Sequence, residues 1–243
     1  MSTSEYITVA SIVAGFCSLA WQTRAKRNDE KRTAQLKRLS EQLSDLYGPL
    51  YALYEAGERN WMRFINEYSN DDRVLSQRTL LPSANNNFKA PSEGQLTEYR
   101  RRMKQLFMPT NIAMEAVIVG HADLVVGTQM PEQFSDFLAH VAAAKLVVHR
   151  WKTDSSFTLD SWEHHRIEYP HPDGLKHIIR ASFEILKQTQ QRVLTGELEF
   201  VDEKTLEKEI GQRMELFISE WNERGPSYAS KLKIDPALQS GKQ

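Results

Sequence analysis

Seven histidines are the side chains of this chain best suited to metal binding or to acid–base chemistry near neutral pH. The densest group lies in a connector between predicted helices, where His164 and His165 are adjacent and His171 follows. Two histidines on one helix share a metal at a spacing of three or four residues, and His140 and His149 are nine apart. We therefore take His164, His165 and His171 as candidate metal ligands. A pH-sensitive surface patch is the favoured interpretation, because adjacent histidines in a connector point in different directions.

Other catalytic signatures are absent from the sequence. No Glu-x-x-His motif lies on a predicted helix, so the ligand pattern of di-metal helical bundles is missing. The chain has no G-x-S-x-G elbow, Walker A loop or G-x-G-x-x-G run. The single cysteine, Cys17, lies in an apolar stretch and is interpreted as a small apolar filler. The sequence therefore predicts no catalytic residue and no cofactor. An enzyme with a pocket near His140, His164 and His165 is kept as an alternative.

An uncharged stretch near the N-terminus organises the rest of the chain. Residues 6–21 read YITVASIVAGFCSLAW, sixteen residues without a charge. As a helix they reach about 24 Å, which is shorter than a hydrocarbon core of about 30 Å. Flanking side chains that extend to the headgroups and local thinning of the bilayer can make up the difference. The aromatic residues at both ends favour the headgroup level. We therefore predict a transmembrane anchor over residues 1–23, with its marked positions at Tyr6, Ser11, Ala14, Gly15, Cys17, Ser18 and Trp21.

Two alternatives to a retained span stay open. A cleaved secretory signal has a basic leader, which MSTSEY lacks, and a buried or interfacial helix usually has a more polar face than this one. Basic residues follow the stretch at Arg24, Lys26, Arg27, Lys31 and Arg32. The positive flank stays cytoplasmic, so the N-terminus lies outside. We therefore predict a single-pass protein of the inner (cytoplasmic) membrane, with membrane lipid as a partner and the body in the cytoplasm.

Composition and periodicity favour an all-α body. Apolar residues recur at helical spacing, no period-2 run appears, and only 11 of 243 residues are glycine. The formal net charge of −1 offers no case for a nucleic-acid partner. We predict a single transmembrane helix followed by an antiparallel helical bundle over residues 24–224. A mobile loop is predicted over residues 69–94, which are rich in Asn, Ser and Pro, and a flexible tail over residues 225–243.

A leucine ladder follows the basic flank. Its steps of three and four residues are those of a heptad seam, and its members are Leu36, Leu39, Leu43, Leu46, Leu50 and Leu53. The ladder could zip two chains into a homo-oligomer, or it could be the core stripe of one helix in an intramolecular bundle. Tyr47, Tyr51 and Tyr54 widen the apolar face, which favours the bundle. Pro49 predicts a kink or a restart within this helix.

Helix boundary signals continue along the body. A helix is predicted to begin near Gln95 and to break or kink at Pro109. Another opens at Pro131, which suits a first turn. The next ends at Gly196, and Asp202 caps the last helix.

Three stretches of the chain resemble a group of bacterial proteins that carry a single N-terminal span and have no assigned activity. They are LYGPLYALYEAGERNW (Leu46 to Trp61), LFMPTNIAMEAVIVGHADL (Leu106 to Leu124) and MPEQFSDFLAHVAAAKLVVHRW (Met130 to Trp151), with the later FEILKQTQQRVL. The resemblance implies a single-span membrane protein with a helical cytosolic domain. It implies no activity.

Three functional hypotheses follow from the sequence. The first is a membrane-tethered helical interaction module that presents its bundle to a protein partner. The second is a membrane effector whose spans associate through Ala14, Gly15 and Ser18 and permeabilise the membrane on a signal. The third is the enzyme with the histidine-containing pocket described above. The lack of a catalytic constellation favours the first hypothesis, so we expect a protein that is not an enzyme.

Overall fold

The structure, a computed structural model, describes residues 3–68, 92–158, 162–167 and 169–224. Within the first range, side-chain positions are described from residue 15 onward. The fold, the core and the candidate sites below are drawn from these residues.

Seven α-helices make up most of the described chain. They are α1 (Thr3–Glu41), α2 (Gly48–Tyr68), α3 (Glu93–Arg102), α4 (Met108–Gly120), α5 (Glu132–Thr153), α6 (Leu175–Thr195) and α7 (Glu203–Arg224). Two π-helical turns, Gln42–Tyr47 and Met103–Phe107, join α1 to α2 and α3 to α4 without a break. Short 3-10 turns span Ala122–Leu124 and Trp162–His165. The described residues contain no strand, so the predicted all-α class and helical bundle are confirmed.

The transmembrane helix predicted within α1 gains no support. In the part of the chain that is described, no helix has both the length and the apolarity that crossing a membrane requires. The uncharged stretch has sixteen residues, fewer than the about 20 that a spanning helix uses, and charged residues follow from Arg24 onward. The single-pass topology therefore stays a prediction.

Two of the predicted connections fall largely outside the described residues. Residues 69–91 of the predicted loop 69–94 and the whole predicted tail 225–243 belong to that part. The last residues of the predicted loop, 93 and 94, belong to α3. This helix begins at Glu93, whereas the sequence predicted a start near Gln95. Ser92 caps this helix in a capping box, since its hydroxyl accepts from the Gln95 N–H at 3.3 Å and the Gln95 side chain accepts from the Ser92 N–H at 2.8 Å.

Each π-helical turn lies directly before a Gly-Pro or Met-Pro pair. Proline has no N–H, and its ring collides with the preceding turn of an α-helix. Pro49 and Pro109 are each the second residue after the end of a π turn. The turn is closed by a wider bond, in which Gly48 N–H donates to the carbonyl of Leu43, five residues earlier. The extra residue makes room for the ring, and the chain stays helical through both prolines, with α2 and α4 beginning at Gly48 and Met108. The predicted kink at each proline stays a prediction.

The leucine ladder packs inside the chain's own core. Leu39, Leu46 and Leu50 are buried, and Leu36, Leu43 and Leu53 pack against the same cluster while partly buried. The hydroxyl of Tyr47 accepts a hydrogen bond from Val126 N–H at 3.2 Å, which ties the first π turn to the segment after α4. The ladder is therefore the core stripe of an intramolecular bundle in this structure.

The α6–α7 hairpin contacts the C-terminal part of α1. Gly196, with φ of +76°, ends α6 as predicted. Asp202 caps α7 as predicted, and its carboxylate accepts from the Thr205 N–H at 3.0 Å. The Arg32 guanidinium donates to the carbonyl of Val193 at 2.8 Å, near the end of α6. From Arg32 onward, α1 therefore belongs to the bundle.

The geometry of the first π turn predicts that replacing Gly48 by alanine destabilises the fold. A Cβ on Gly48 would overlap the carbonyl oxygen of Leu43. We expect Gly48→Ala to lower the free energy of unfolding by about 1–3 kcal/mol, as overpacking does, in urea titrations. Gly211→Ala is the matched control, because a Cβ at that position in α7 meets nothing within 4 Å. It should raise stability by up to about 1 kcal/mol. Equal responses of the two variants would contradict this account of the turn.

Candidate functional site

The first helix leaves the bundle with its apolar side chains exposed. Phe16, Leu19 and Trp21 are 70%, 61% and 75% exposed, and every residue from 15 to 31 is exposed. A side chain added at Gly15 would meet nothing within 4 Å. The described part of the uncharged stretch is therefore not packed against the body.

The remaining positions of the predicted span divide into two groups. Cys17 is a free, exposed thiol and Ser18 is exposed. The side chains of Tyr6, Ser11 and Ala14 lie outside the described residues. The structure thus shows exposure for the second half of the stretch and carries no information on the side chains of the first half.

A basic segment continues the exposed helix towards the bundle. Arg24, Lys26 and Arg27 are exposed, and Lys26 lies 4.0 Å from Glu30 in a surface pair of small energy. Such a segment can meet anionic headgroups when an apolar neighbour is in the bilayer. The order along α1 is therefore apolar, then basic, then buried.

The two adjacent histidines of the connector have different surroundings. His165 is buried, and its Nε2 accepts a hydrogen bond from the Nε–H of Arg100 at 2.8 Å. The ring of His164 stacks on Phe157 with centroids 4.7 Å apart, and its Nδ1 is buried without a hydrogen-bond partner. The surface-patch interpretation is therefore wrong for His165, because its ring fills the space between helices.

A pair of packed histidines lies elsewhere in the bundle, in which His140 is buried and His171 is exposed to solvent. The rings of His140 and His171 have centroids 5.3 Å apart, and Phe137 packs against both. Nδ1 of His140 is 2.7 Å from the carbonyl oxygen of Tyr169. Desolvation by the surrounding rings lowers the pKa of both imidazoles, and the nearby His140 lowers the pKa of the exposed His171 further, to about 4. Both rings are thus neutral at neutral pH and pack as aromatic groups.

The candidate metal ligands are not assembled into a metal site. Within the described ranges, no group of three or more His, Cys, Asp or Glu side chains is placed to hold a metal ion. His164 and His165 contact different partners, and His171 pairs with His140. The geometry of these residues therefore supports packing as their role.

The His140–His171 pair predicts that stability falls in acid. The folded-state pKa of His171 is about 4, whereas an unfolded histidine titrates near 6.5, so the unfolded chain binds more protons below pH 6.5. Stabilisation that is complete above pH 6.5 is therefore lost progressively towards pH 4. We expect the free energy of unfolding, from urea titration, to be about 1 kcal/mol lower at pH 5 than at pH 7.5, because solvent screens the exposed ring of His171 and reduces the effect.

Two variants test whether this pH dependence comes from the pair. His171→Gln should flatten the stability profile between pH 7.5 and pH 5. The control is His149→Gln, at an exposed position of α5, which should leave the profile as it is. An unchanged slope in His171→Gln would rule out the pair as its source.

One open cleft lies between α2 and the end of α3. It has a volume of about 400 Å³ and is lined by Asn60, Arg63, Glu67, Arg101, Arg102, Gln105 and Leu106. Arg101 and Arg102 both bind Glu98, and they lower the pKa of its carboxyl to about 2. Arg102 also binds Glu67. The acids of this cleft are thus held ionised by arginines, which suits surface ion pairing and not proton transfer.

Arg100 fastens the connector to α3. Besides His165, its guanidinium donates to the carbonyls of Phe157 at 3.0 Å and Thr158 at 2.8 Å. The same group lies 5.1 Å from the centroid of the Trp151 ring. A planar guanidinium with several donors can make these contacts together, whereas an ammonium cannot.

Arg100→Lys is expected to loosen this connector. Losing hydrogen bonds to partly buried acceptors should lower the free energy of unfolding by about 1–3 kcal/mol. Limited proteolysis should also cut residues 154–167 faster, with the sites read by mass spectrometry. The matched control is Arg59→Lys, because Arg59 is 80% exposed and 3.7 Å from Glu55 in a surface pair. Equal protease resistance of the two variants would contradict the role assigned to Arg100.

Comparison of the chain with family models, with curated proteins and with solved structures finds no match. The resemblance to bacterial single-span proteins therefore stays a prediction. The function has to be argued from the chain's own surfaces.

The sequence missed a second exposed surface, on α4. This helix is apolar nearly all round, so its periodicity does not tell the buried face from the exposed one. The structure buries Met114 and Ile118, and it exposes Ile112 and Val119. The signal that could have identified the exposed face is the recurrence of apolar residues at 109, 112, 116 and 119, opposite the buried positions.

Proposed function

We propose that this chain is a membrane-tethered helical interaction module. Residues 6–21 associate with lipid, and the bundle is held at the cytoplasmic side of the inner membrane as a single-pass protein. The bundle then presents its surface to a protein partner. The observation that carries the proposal is the exposure of Phe16, Leu19 and Trp21 on a helix that continues into the core.

The energetics of exposed apolar groups support lipid association. Large apolar side chains that stay in water forfeit about 1.5–3 kcal/mol each relative to burial. Three such groups lie within six residues, next to a basic segment. Apolar burial and headgroup attraction are the two terms that bind an amphipathic or spanning helix to a bilayer. None of the described helices is long and apolar enough to cross a membrane. The main part of the proposal is therefore that residues 6–21 contact lipid, and the single-pass topology is an additional step.

Fractionation of the full-length chain tests the tether. We expect the protein in the membrane pellet, released by detergent and not by alkaline carbonate. Phe16→Asp with Leu19→Asp should move it to the soluble fraction, because two charges in the apolar stretch oppose insertion. Leu216→Asp with Ile218→Asp is the control, since both residues are exposed on α7 and should not affect fractionation. A native protein that stays soluble without detergent would sink the proposal.

A second candidate function is an oligomerising membrane effector that permeabilises the membrane on a signal. The observation that favours it is the open space around Gly15, a small residue where a second helix could approach closely. Ser18, three residues later, is also exposed. Induced expression with a membrane-potential dye separates the two functions. Depolarisation that Gly15→Leu abolishes would favour the effector, and an unchanged potential would favour the interaction module.

The enzyme hypothesis has no supporting geometry in the described residues. The rings of His140, His164 and His165 pack against Phe137, Phe157 and Arg100 in different places. Metal analysis of the purified chain, with alanine at these three histidines, remains the direct test. The predicted absence of a nucleic-acid partner and the predicted homo-oligomer also stay proposals.

A further inference from the structure

Exposed apolar side chains lie on α4 and α5 beside the line where the two helices pack together, and we name this surface the α4–α5 groove. The α4–α5 groove is bordered on α4 by exposed residues at steps of three and four, namely Pro109, Ile112, Ala116 and Val119. On α5 it is bordered by Ala142 and by Leu146, which is 48% exposed. Steps of three and four place side chains on one face of a helix. This is the spacing of a surface that packs against another helix.

The centre of the α4–α5 groove carries no net charge. Lys145 of α5 forms an ion pair with Glu115 of α4, which joins the two helices across the groove. Glu115 lies between Ile112 and Val119 on the helix, at steps of three and four, so the ion pair lies beside the apolar stripe. The pair satisfies both charges within the chain, which leaves the neighbouring apolar side chains to a ligand.

The two ends of the groove carry opposite charges. Trp151, near the end of α5, contacts Tyr99, which precedes α4, with ring centroids 6.2 Å apart, and the Glu115–Lys145 pair joins the middles of the two helices. The two helices are therefore antiparallel. Lys104 and Lys152 are exposed at the end where α4 begins and α5 ends, which we name the basic end. Asp123 and Glu132 are exposed at the other end, which we name the acidic end.

Neighbouring charges do not cancel this polarity. At the basic end, Asp154 is an exposed carboxylate that accepts from the Ser156 N–H at 2.9 Å, and its one negative charge is outweighed by Lys104 and Lys152 together. At the acidic end, Arg38 lies 3.8 Å from Glu203 and donates to the carbonyl of Asp123 at 2.6 Å. The carboxylate of Asp123 and that of Glu132 remain exposed at this end.

We infer that the α4–α5 groove binds an amphipathic helix of a partner protein that is acidic at one end and basic at the other. The apolar stripe of the partner packs on Ile112, Val119 and Leu146. Its acidic end lies on the basic end of the groove, and its basic end lies on the acidic end. Helix-in-groove recognition uses apolar anchors for affinity and flanking charges for direction.

The groove is long enough for such a ligand. α5 has 22 residues and is about 33 Å long, and packed helices lie about 8–10 Å apart. The face is therefore about 33 Å by 20 Å, close to the about 800 Å² per partner of a standard interface. A partner helix of about 20 residues covers it from end to end.

A second copy of this chain is the competing occupant, and the charge order argues against it. Two copies bring unlike ends together only when their grooves are antiparallel. The chain from Arg38 to Gly57 runs antiparallel to α4, since Arg38 contacts Asp123 and Gly57 lies against Thr110. An antiparallel pair would therefore send its two α1 helices in opposite directions, which a common bilayer does not allow. This step rests on the proposed membrane tether.

A designed peptide tests the groove directly. The probe is a fluorescent 18-residue helical peptide with a leucine stripe, glutamates in one terminal third and lysines in the other. Its fluorescence anisotropy is measured against the full-length chain in nanodiscs, with empty nanodiscs as the blank. We expect saturable binding that Val119→Asp weakens at least tenfold. The matched control is Leu216→Asp, because Leu216 is 54% exposed on α7, and it should change affinity less than twofold.

A second set of peptides tests whether the placement of charges along the ligand matters. A peptide of the same composition with glutamates and lysines interspersed should bind at least tenfold more weakly than the polar peptide. Lys104→Glu with Lys152→Glu should weaken binding of the polar peptide at least tenfold. A peptide with lysines in both terminal thirds should recover binding to that variant. Circular dichroism of each variant confirms that the helices are intact.

Four results would overturn the inference. They are no saturable binding, equal affinity for the polar and interspersed peptides, equal losses in Val119→Asp and Leu216→Asp, and a peptide-free dimer that Val119→Asp converts to a monomer. The last would assign the groove to a second copy. Vesicle flotation of the same samples reports the tether separately, because Val119→Asp should float like the native chain. Peptide binding without flotation would keep the groove and remove the tether.

Discussion

Leu39, Leu46 and Leu50 lose nearly all contact with water where α1 enters the bundle. Leu39 lies in α1, Leu46 in the first π turn and Leu50 in α2, so burial of about 1.5–3 kcal/mol for each leucine stabilises the junction between the first helix and the body. The same helix carries the exposed residues 15–31, because α1 runs unbroken from Thr3 to Glu41. The position of the exposed apolar stretch is therefore set by packing in the core. The proposed tether is therefore a continuation of a helix that is anchored in the core.

In the long connector between α5 and α6, polar side chains fill space between the helices. Arg100 donates to three acceptors there, and His165 fills a space beside the Trp151 ring. His140 plays a similar part further along, where its buried ring packs against Phe137 and His171 and desolvation lowers its pKa. A dense group of histidines in a sequence therefore has a structural explanation without a metal, when aromatic neighbours enclose each ring.

Much of the fold could be predicted from local signals. Gly196 and Asp202 end and begin helices as predicted, because each acts on backbone groups within a few residues. The leucine ladder was correctly assigned a buried face, but the sequence left open whether its partner was in the same chain. Pro49 and Pro109 were correctly taken as interruptions of a regular α-helix, but the sequence did not show that a π turn accommodates each ring. That outcome depends on neighbouring helices that hold the wider turn in place.

The sequence by itself determined the helical class, most helix ends and the order of apolar, basic and buried segments along α1. These properties arise from side chains acting on their own turn of backbone or on one helix face. Only the tertiary structure decided that His165 is enclosed, through a contact with a residue 65 positions away, and that one side of the apolar helix α4 faces water. Burial depends on which helices meet, and partners distant in the chain leave no periodic mark in the sequence.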